Sequence, residues 1–376
     1  MAYKVVPVTD GRRFREFLRL PFALYRDDPL WVPPLVARLR KTLDPARNPY
    51  FANASLRLFL CLKDGTPAAR LAVVIDDRLR DRRGGGGVGG RTAGFGFFES
   101  ADDAEAVRRL FEAAEAYGLA QGAASLEGPF NPHHYSELGL QIDGFGTPPS
   151  FFQPYNPPSY PALLESAGYR IAARLQTMRN PRIREYLEGR YRERPDAEAR
   201  HGYVVRRISA RNFRRDLELL REINNDAFSA NWRFLPLGRK EFAFAAEGLR
   251  IVSPSDLILF AEHHGRPVAA LHAVLDINPA LRRLNGRPGP FRALRFLADR
   301  RRVRTIIVFT VAIRRDHRHS RVYYALLTAF ARTARRFDAL ETTWVSPDNL
   351  PSVRAAESLG ATPDKTFAVY AKDLRP

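Results

Sequence analysis

The chain has 376 residues, 45% hydrophobic and 27% charged, which describes a globular protein long enough for two domains with separate cores. Sixty Lys and Arg against 41 Asp and Glu give a net charge of +19, and that balance suits nucleic acid, an anionic membrane surface or an acidic ligand. A single cysteine, Cys61, excludes a disulfide framework and is compatible with a reducing compartment, and no apolar run approaches the ~20 residues needed to span a bilayer.

In chain order, residues 3–8 read as a short strand, followed by an amphipathic helix carrying Phe14, Phe17 and Leu18. Leu56 to Leu62 and Pro67 to Ile75 pair across the turn Lys63-Asp64-Gly65-Thr66, with Cys61 a core residue of the first strand. The glycine run at 84–90 precedes no helix and reads as a hairpin tip. Gly94 to Glu99 is a further strand, ADDAEAVRRLFEAAEAYGL a helix and Ala124 to Glu127 the next strand. The connector at 182–202 is highly charged. The plan then repeats: residues 203–208 form a strand, Phe213, Leu217 and Leu220 mark a helix, and Leu257 to Glu262 pairs with Pro267 to Leu275 across His263-His264-Gly265-Arg266.

The most informative stretch follows. Thr305 to Ile313 has the composition of a strand buried on both faces, and Val322 to Phe337 has helical spacing, with Leu326, Leu327, Phe330 and Ala334 on one side. Between them lie Arg314, Arg315, Arg318 and Arg321, facing the positive end of the helix dipole. An anion fits there. The chain ends with a strand at Leu340 to Val345, a short helix stopped by Gly360 and a last strand around Thr366 to Lys372. Basic clusters also occur at 78–83 and 282–304, but no helix-turn-helix, RNP-like strand or metal-ligand spacing accompanies them, so neither nucleic acid nor metal is expected.

The strand, basic turn and helix resemble the pyrophosphate loop of the GNAT acyltransferase superfamily, in which strand four splays from strand five and an Arg-x-x-Gly-x-Gly turn wraps the phosphates of acyl-CoA. Here the turn is Arg318-His319-Ser320-Arg321-Val322-Tyr323, with Arg321 and Tyr323 where the family usually has glycine or a small residue. A backbone close to phosphate prefers glycine, so the resemblance implies either a displaced CoA or a side-chain contact from Arg321. It also implies thioester contacts at Val311, Ala312, Ile313 and Asn349. Ala356 stands where a general-acid tyrosine often sits, which leaves protonation of the thiolate to water or another group. In the first half, Glu99, Asp102 and Asp103 are expected to form an acidic helix start that caps its own dipole and repels a pyrophosphate.

DDPLWVPPL, DPARNPYF, GFGFFE, EGPFNP with ELGLQIDGF, YNPPSY, NWRFLPL, LDIN and WVSPDN extend the resemblance over nearly the whole chain, to a bacterial family of tandem GNAT-like proteins that includes the bacterial ceramide synthases. The implied fold is α/β, two GNAT domains each with a mixed central sheet flanked by helices: 1–180 on the acceptor side, a linker at 181–202, and 203–376 on the acyl-CoA side.

The implied chemistry is transfer of an acyl group from acyl-CoA or an acyl carrier protein thioester to an amine. That needs a base for the ammonium, a donor for the oxyanion, and alignment. Glu137, Asp143, Asp276 and His134 are the candidate bases, although each carboxylate could equally cap a turn. Asn131, Tyr155, Asn156, Asn231, Trp232 and Asn278 are expected on the acceptor side. Trp31, Trp232 and Phe234 flank prolines and either line a channel or anchor loops, and His317 and His319 belong to the anion turn. The preferred acceptor is a long-chain sphingoid base. A small-amine acetyltransferase and a non-catalytic acyl-thioester or lipid-binding module are the alternatives. The location expected is cytoplasmic, with peripheral contact to an anionic inner membrane.

Overall fold

In the computed structural model, which describes residues 1–80, 90–133, 135–189, 202–231 and 233–374, the paired-strand patterns fold as hairpins. Asp64 and Gly65 have φ of 49° and 83°, and His264 and Gly265 have 49° and 74°. Two successive left-handed residues match the twist of the flanking strands, as in type I′ turns. The strands in chain order are β1 (Tyr3–Pro7), β2 (Ala54–Lys63), β3 (Thr66–Arg80), β4 (Arg91–Ser100), β5 (Ala123–Gly128), β6 (Phe130–Asn131), β7 (Glu137–Leu138) and β8 (Leu140–Asp143). They continue as β9 (Arg170–Asn180), β10 (Tyr203–Arg207), β11 (Ile258–His263), β12 (Arg266–Leu275), β13 (Thr305–Ile313), β14 (Ala339–Thr342) and β15 (Thr362–Asp373).

The chain forms two units. The first comprises Met1–Leu175, Asn278–Phe296 and Lys365–Pro376; the second comprises Gln176–Ile277 and Leu297–Asp364. The first sheet runs β1-β2-β3-β4-β5-β15, with β8 also on β15. The second runs β10-β11-β12-β13-β14-β9. Among the described residues the parallel neighbours on each path are the fourth and fifth strands, β4 with β5 and β13 with β14. The sixth strand of each unit comes from the other half of the chain. The expected contiguous division into 1–180, 181–202 and 203–376 therefore differs from these units, because turn and period signals mark where a strand lies and not which sheet it joins.

Helices cover both faces of each sheet. In the first unit, the helix Ala104–Ala120 buries Leu110 and Phe111 against Phe95, Tyr160, Tyr169 and Tyr370. On the opposite face, Phe17 and Leu18 of the helix Gly11–Leu24 pack with Leu60 and Phe97. In the second, the helix Phe213–Ala227 places Leu220 and Ile223 with Phe260 and Ala312. The helix Val322–Ala334, three residues shorter than expected, buries Leu326, Leu327 and Phe330. Gly360, with φ of 69°, closes the helix Leu350–Glu357 as expected, and β15 starts earlier than the expected Thr366. Cys61 is buried, and burial pushes its thiol up to about 11.

His272 on β12 is a polar group inside this core. Its Nε2 is 2.9 Å from Ser253 Oγ, which donates to the Ala273 carbonyl at 3.0 Å, so the imidazole nitrogen is the donor to Ser253. Burial pulls its pKa from 6.5 to about 4. The unfolded chain binds this proton below 6.5 and the folded chain does not until about 4, so the contribution to stability is present above 6.5 and lost as pH falls toward 4. The loss is on the order of 3 kcal/mol. Denaturant unfolding should therefore show a smaller acid-side loss in His272→Gln than in the native chain; equal losses would show that His272 enters the fold charged.

Candidate functional site

In the second unit, β13 and β14 pair only as far as Val308 with Thr342, after which Thr343 N–H donates to the Val308 carbonyl and Val345 turns to pair with Gln176. β13 runs on past this pairing as Phe309 to Ile313, the Thr343 hydroxyl donating to the Phe309 carbonyl at 2.8 Å, and Phe309, Thr310 and Val311 are partly exposed. A register shift opposite His272 and Ala273 leaves Phe309 as the extra residue of a bulge. Bulge and divergence coincide, so backbone groups are re-aimed where a wedge opens between the parallel strands. Val311, Ala312 and Ile313 line up along the same strand, Ala312 facing the core.

The basic turn closes this wedge. Arg315 to His317 form a short 3-10 turn, and Ser320 Oγ donates to the His317 carbonyl and lies 3.3 Å from the Val322 amide. Arg321 stands at the helix N-cap without a side-chain cap of its own, so the positive end of the helix dipole meets the basic turn. Arg318 donates to the Ala227 carbonyl, and Asp226 accepts from the Arg315 amide at 2.8 Å. Tyr323 directs its hydroxyl to the Ala355 carbonyl and to Ser358 Oγ, 3.2 Å from each. Asn349 Oδ1 accepts weakly from the Ser352 amide (3.4 Å) and so acts as an N-cap. His317 lies beside Tyr203 and His263, and His319 is in the turn. Among the described residues no cluster of His, Cys, Asp and Glu could hold a metal.

The corresponding wedge in the first unit is filled. β4 and β5 pair through Gly94 with Glu127, and β6 then lies along β4. A Cβ on Gly96 would sit 1.7 Å from the Phe130 carbonyl, and one on Gly128 would sit 2.2 Å from the Phe95 carbonyl, so only glycine permits this approach. Phe97 takes φ of 51°, and its N–H donates to Asn131 Oδ1 at 2.6 Å. The helix start is capped internally as expected, with Asp103 accepting from Ala106 N–H and pairing with Lys63. Glu99 lies in β4, as the expected strand from Gly94 to Glu99 has it, and takes no part in the acidic helix start.

Glu99 instead joins a charged cluster. Its carboxylate accepts from Tyr25 Oη (2.5 Å) and Tyr160 Oη (3.1 Å), and Arg70 lies 3.6 Å away. Burial pushes the Glu99 pKa up, against the pull of Arg70. Glu137 stands nearby with Asn131 Nδ2 donating to it at 3.0 Å. Glu137 reaches solvent, yet protein surrounds it closely enough that lost hydration raises its pKa, while Asn131 and Arg70 act the other way. The result is a solvent-accessible carboxylate held above the usual range, which is what a proton acceptor needs.

The other candidates scatter. Asp143 is exposed at the end of β8, and Asp276 follows β12 in the second unit, its N–H donating to the Thr305 carbonyl. His134 and Trp232 lie outside the described residues. Tyr155 donates to Asp28 at 2.5 Å beside Tyr25, and Trp31 packs on Phe22 and Tyr25 as a loop anchor. Asn156 accepts from Gln141 N–H and donates to the Gln141 and Pro157 carbonyls, so its role is to hold the backbone. Asn278 donates to the Pro149 carbonyl, and Asn231 is exposed in a loop. Arg70, Tyr25 and the Phe309 bulge were not singled out from sequence. Arg70, a charge in the middle of the apolar run AARLAVVI, was the available signal.

No protein-family model matches the chain. Protein YghO of Escherichia coli (strain K12) is 32% identical over 370 residues, covering 96% of this chain and 93% of that protein. The bacterial ceramide synthase of Caulobacter vibrioides (strain NA1000 / CB15N) is 28% identical over 378 residues, covering 98% and 97%. Among solved structures, a tandem GNAT protein from the clavulanic acid biosynthesis pathway superposes with a TM-score of 0.57 at 13% identity, covering 100% of this chain and 99% of that one. A GCN5-related N-acetyltransferase from Sphaerobacter thermophilus gives 0.52 at 13%, covering 100% and 96%. These structures share the fold.

Proposed function

The chain belongs to the tandem GNAT-like acyltransferase family of bacteria, and from that premise we propose that its acceptor is a long-chain amine, a sphingoid base, acylated on nitrogen from acyl-CoA. The observation that carries the acceptor is the likeness to the Caulobacter ceramide synthase over 97% of that enzyme's length. The donor rests on the open wedge and basic turn of the second unit, where Val311 to Ile313, Arg318 and Arg321 would meet pantetheine and phosphate.

Glu137 is the proposed base, since it reaches solvent, is held by Asn131 and has its pKa raised by lost hydration. In the transfer a base takes the ammonium proton, the free amine attacks the thioester carbonyl, and the C–S bond breaks to release the thiolate, which water protonates. The backbone at the Phe309 bulge is the proposed oxyanion donor. Contact with an anionic membrane is part of the same reading. It is supported by the +19 charge, and no helix among the described residues is long and apolar enough to cross a bilayer. The test is the lipid complement of a host lacking and then expressing the chain, where a new N-acylated long-chain base is expected.

A further inference from the structure

We infer that a pocket in the first unit binds the phosphate headgroup of an anionic phospholipid. The pocket has a volume of about 410 Å³ and is lined by Arg15, Arg19, Arg26, Arg40 and Arg287. The helix Gly11–Leu24 and the residues just after it supply the first three, the helix Val36–Thr42 supplies Arg40, and the turn after Asn285 supplies Arg287. No carboxylate lines the pocket. Among the described residues none of the five guanidinium groups has an ion pair or hydrogen bond. On the same helix, by contrast, Arg12 and Arg13 both pair with Glu16. Five like charges around one cavity repel one another until an anion enters, and guanidinium matches phosphate oxygens in a bidentate way.

The pocket is built rather than incidental. Gly286 has φ of 71°, and a Cβ there would lie 2.7 Å from the Phe22 ring and 3.0 Å from the Pro34 carbonyl. The Val36 amide donates to the Gly286 carbonyl at 3.0 Å, which pins the turn against both helices. Leu18, Phe22 and Val36 also line it, beneath the charged rim. A soluble anion would leave that apolar surface wet, whereas a phospholipid places glycerol and the first acyl carbons on it.

This extends the proposed membrane contact to a site. Because the assay reads binding, it can fail while acylation of a long-chain base stands. Full-length protein is sedimented with vesicles of phosphatidylcholine alone or with phosphatidic acid added. Arg19→Glu with Arg40→Glu should weaken binding to the acidic vesicles by at least ~10-fold. Arg214→Glu with Arg215→Glu, an equal charge change on the exposed helix Phe213–Ala227, should weaken it far less. If the glutamate pair fails to fold, Arg19→Gln with Arg40→Gln is read in the same way. Equal loss in both pairs would overturn the site in favour of diffuse surface charge. Displacement by inorganic phosphate as effective as by a short-chain phosphatidic acid would overturn the lipid assignment.

Discussion

Glu137→Gln should lower kcat by about 10²- to 10⁴-fold with little change in KM, the range for a removed general base. The glutamine amide keeps a group for Asn131 to hydrogen-bond and keeps the side-chain volume, so the change removes the proton acceptor and little else. Asp143→Asn and Asp276→Asn should stay near the native rate, since one side chain is exposed at a strand end and the other follows β12 in the second unit. The pH profile gives a second reading. Hydration lost to the surrounding protein raises the Glu137 pKa above its ordinary 4.5, and the active form is the carboxylate. Activity is therefore full above the raised value and lost as pH falls through it, and that acid limb should vanish in Glu137→Gln. A native-like rate in the glutamine variant would remove Glu137 from the mechanism.

Arg318→Glu should weaken acyl-CoA binding by about 10- to 100-fold, because it removes a guanidinium from the basic turn and adds a carboxylate near Asp226, which already accepts from the Arg315 amide. Arg207→Glu, at the exposed end of β10, should change affinity by no more than a few-fold at moderate salt. Titration calorimetry should return one CoA per chain. Phe130 and Asn131 fill the first unit's wedge, and Asp103 occupies its helix start. Two equivalent sites, or equal losses in the two variants, would place the thioester elsewhere.

The repeated plan was legible in sequence because each piece is local. Alternation and a left-handed turn pair specify the hairpins, and an apolar run followed by arginines and helical spacing specifies β13 and the anion turn. What was not legible depends on chain segments distant in sequence. β15 joins β5, and β9 joins β14, through pairings that no local period encodes. The Glu99 cluster gathers Tyr25, Arg70 and Tyr160 from three separate elements, and a reading along the chain grouped Glu99, at the end of its strand, with the acids Asp102 and Asp103 that follow. Asn156 and Asn278 looked like ligand-contacting amides by their motifs. Their side chains hold carbonyls of the protein instead, a role only the fold reveals.

The central claim, that this chain N-acylates a long-chain amine, is tested most directly by mass spectrometry of lipids from a host lacking and then expressing it. The expected result is an N-acyl long-chain base that appears with the native chain and is absent with Glu137→Gln. An unchanged lipid complement alongside newly acylated polyamines or amino acids would contradict the claim, even with the tandem fold intact.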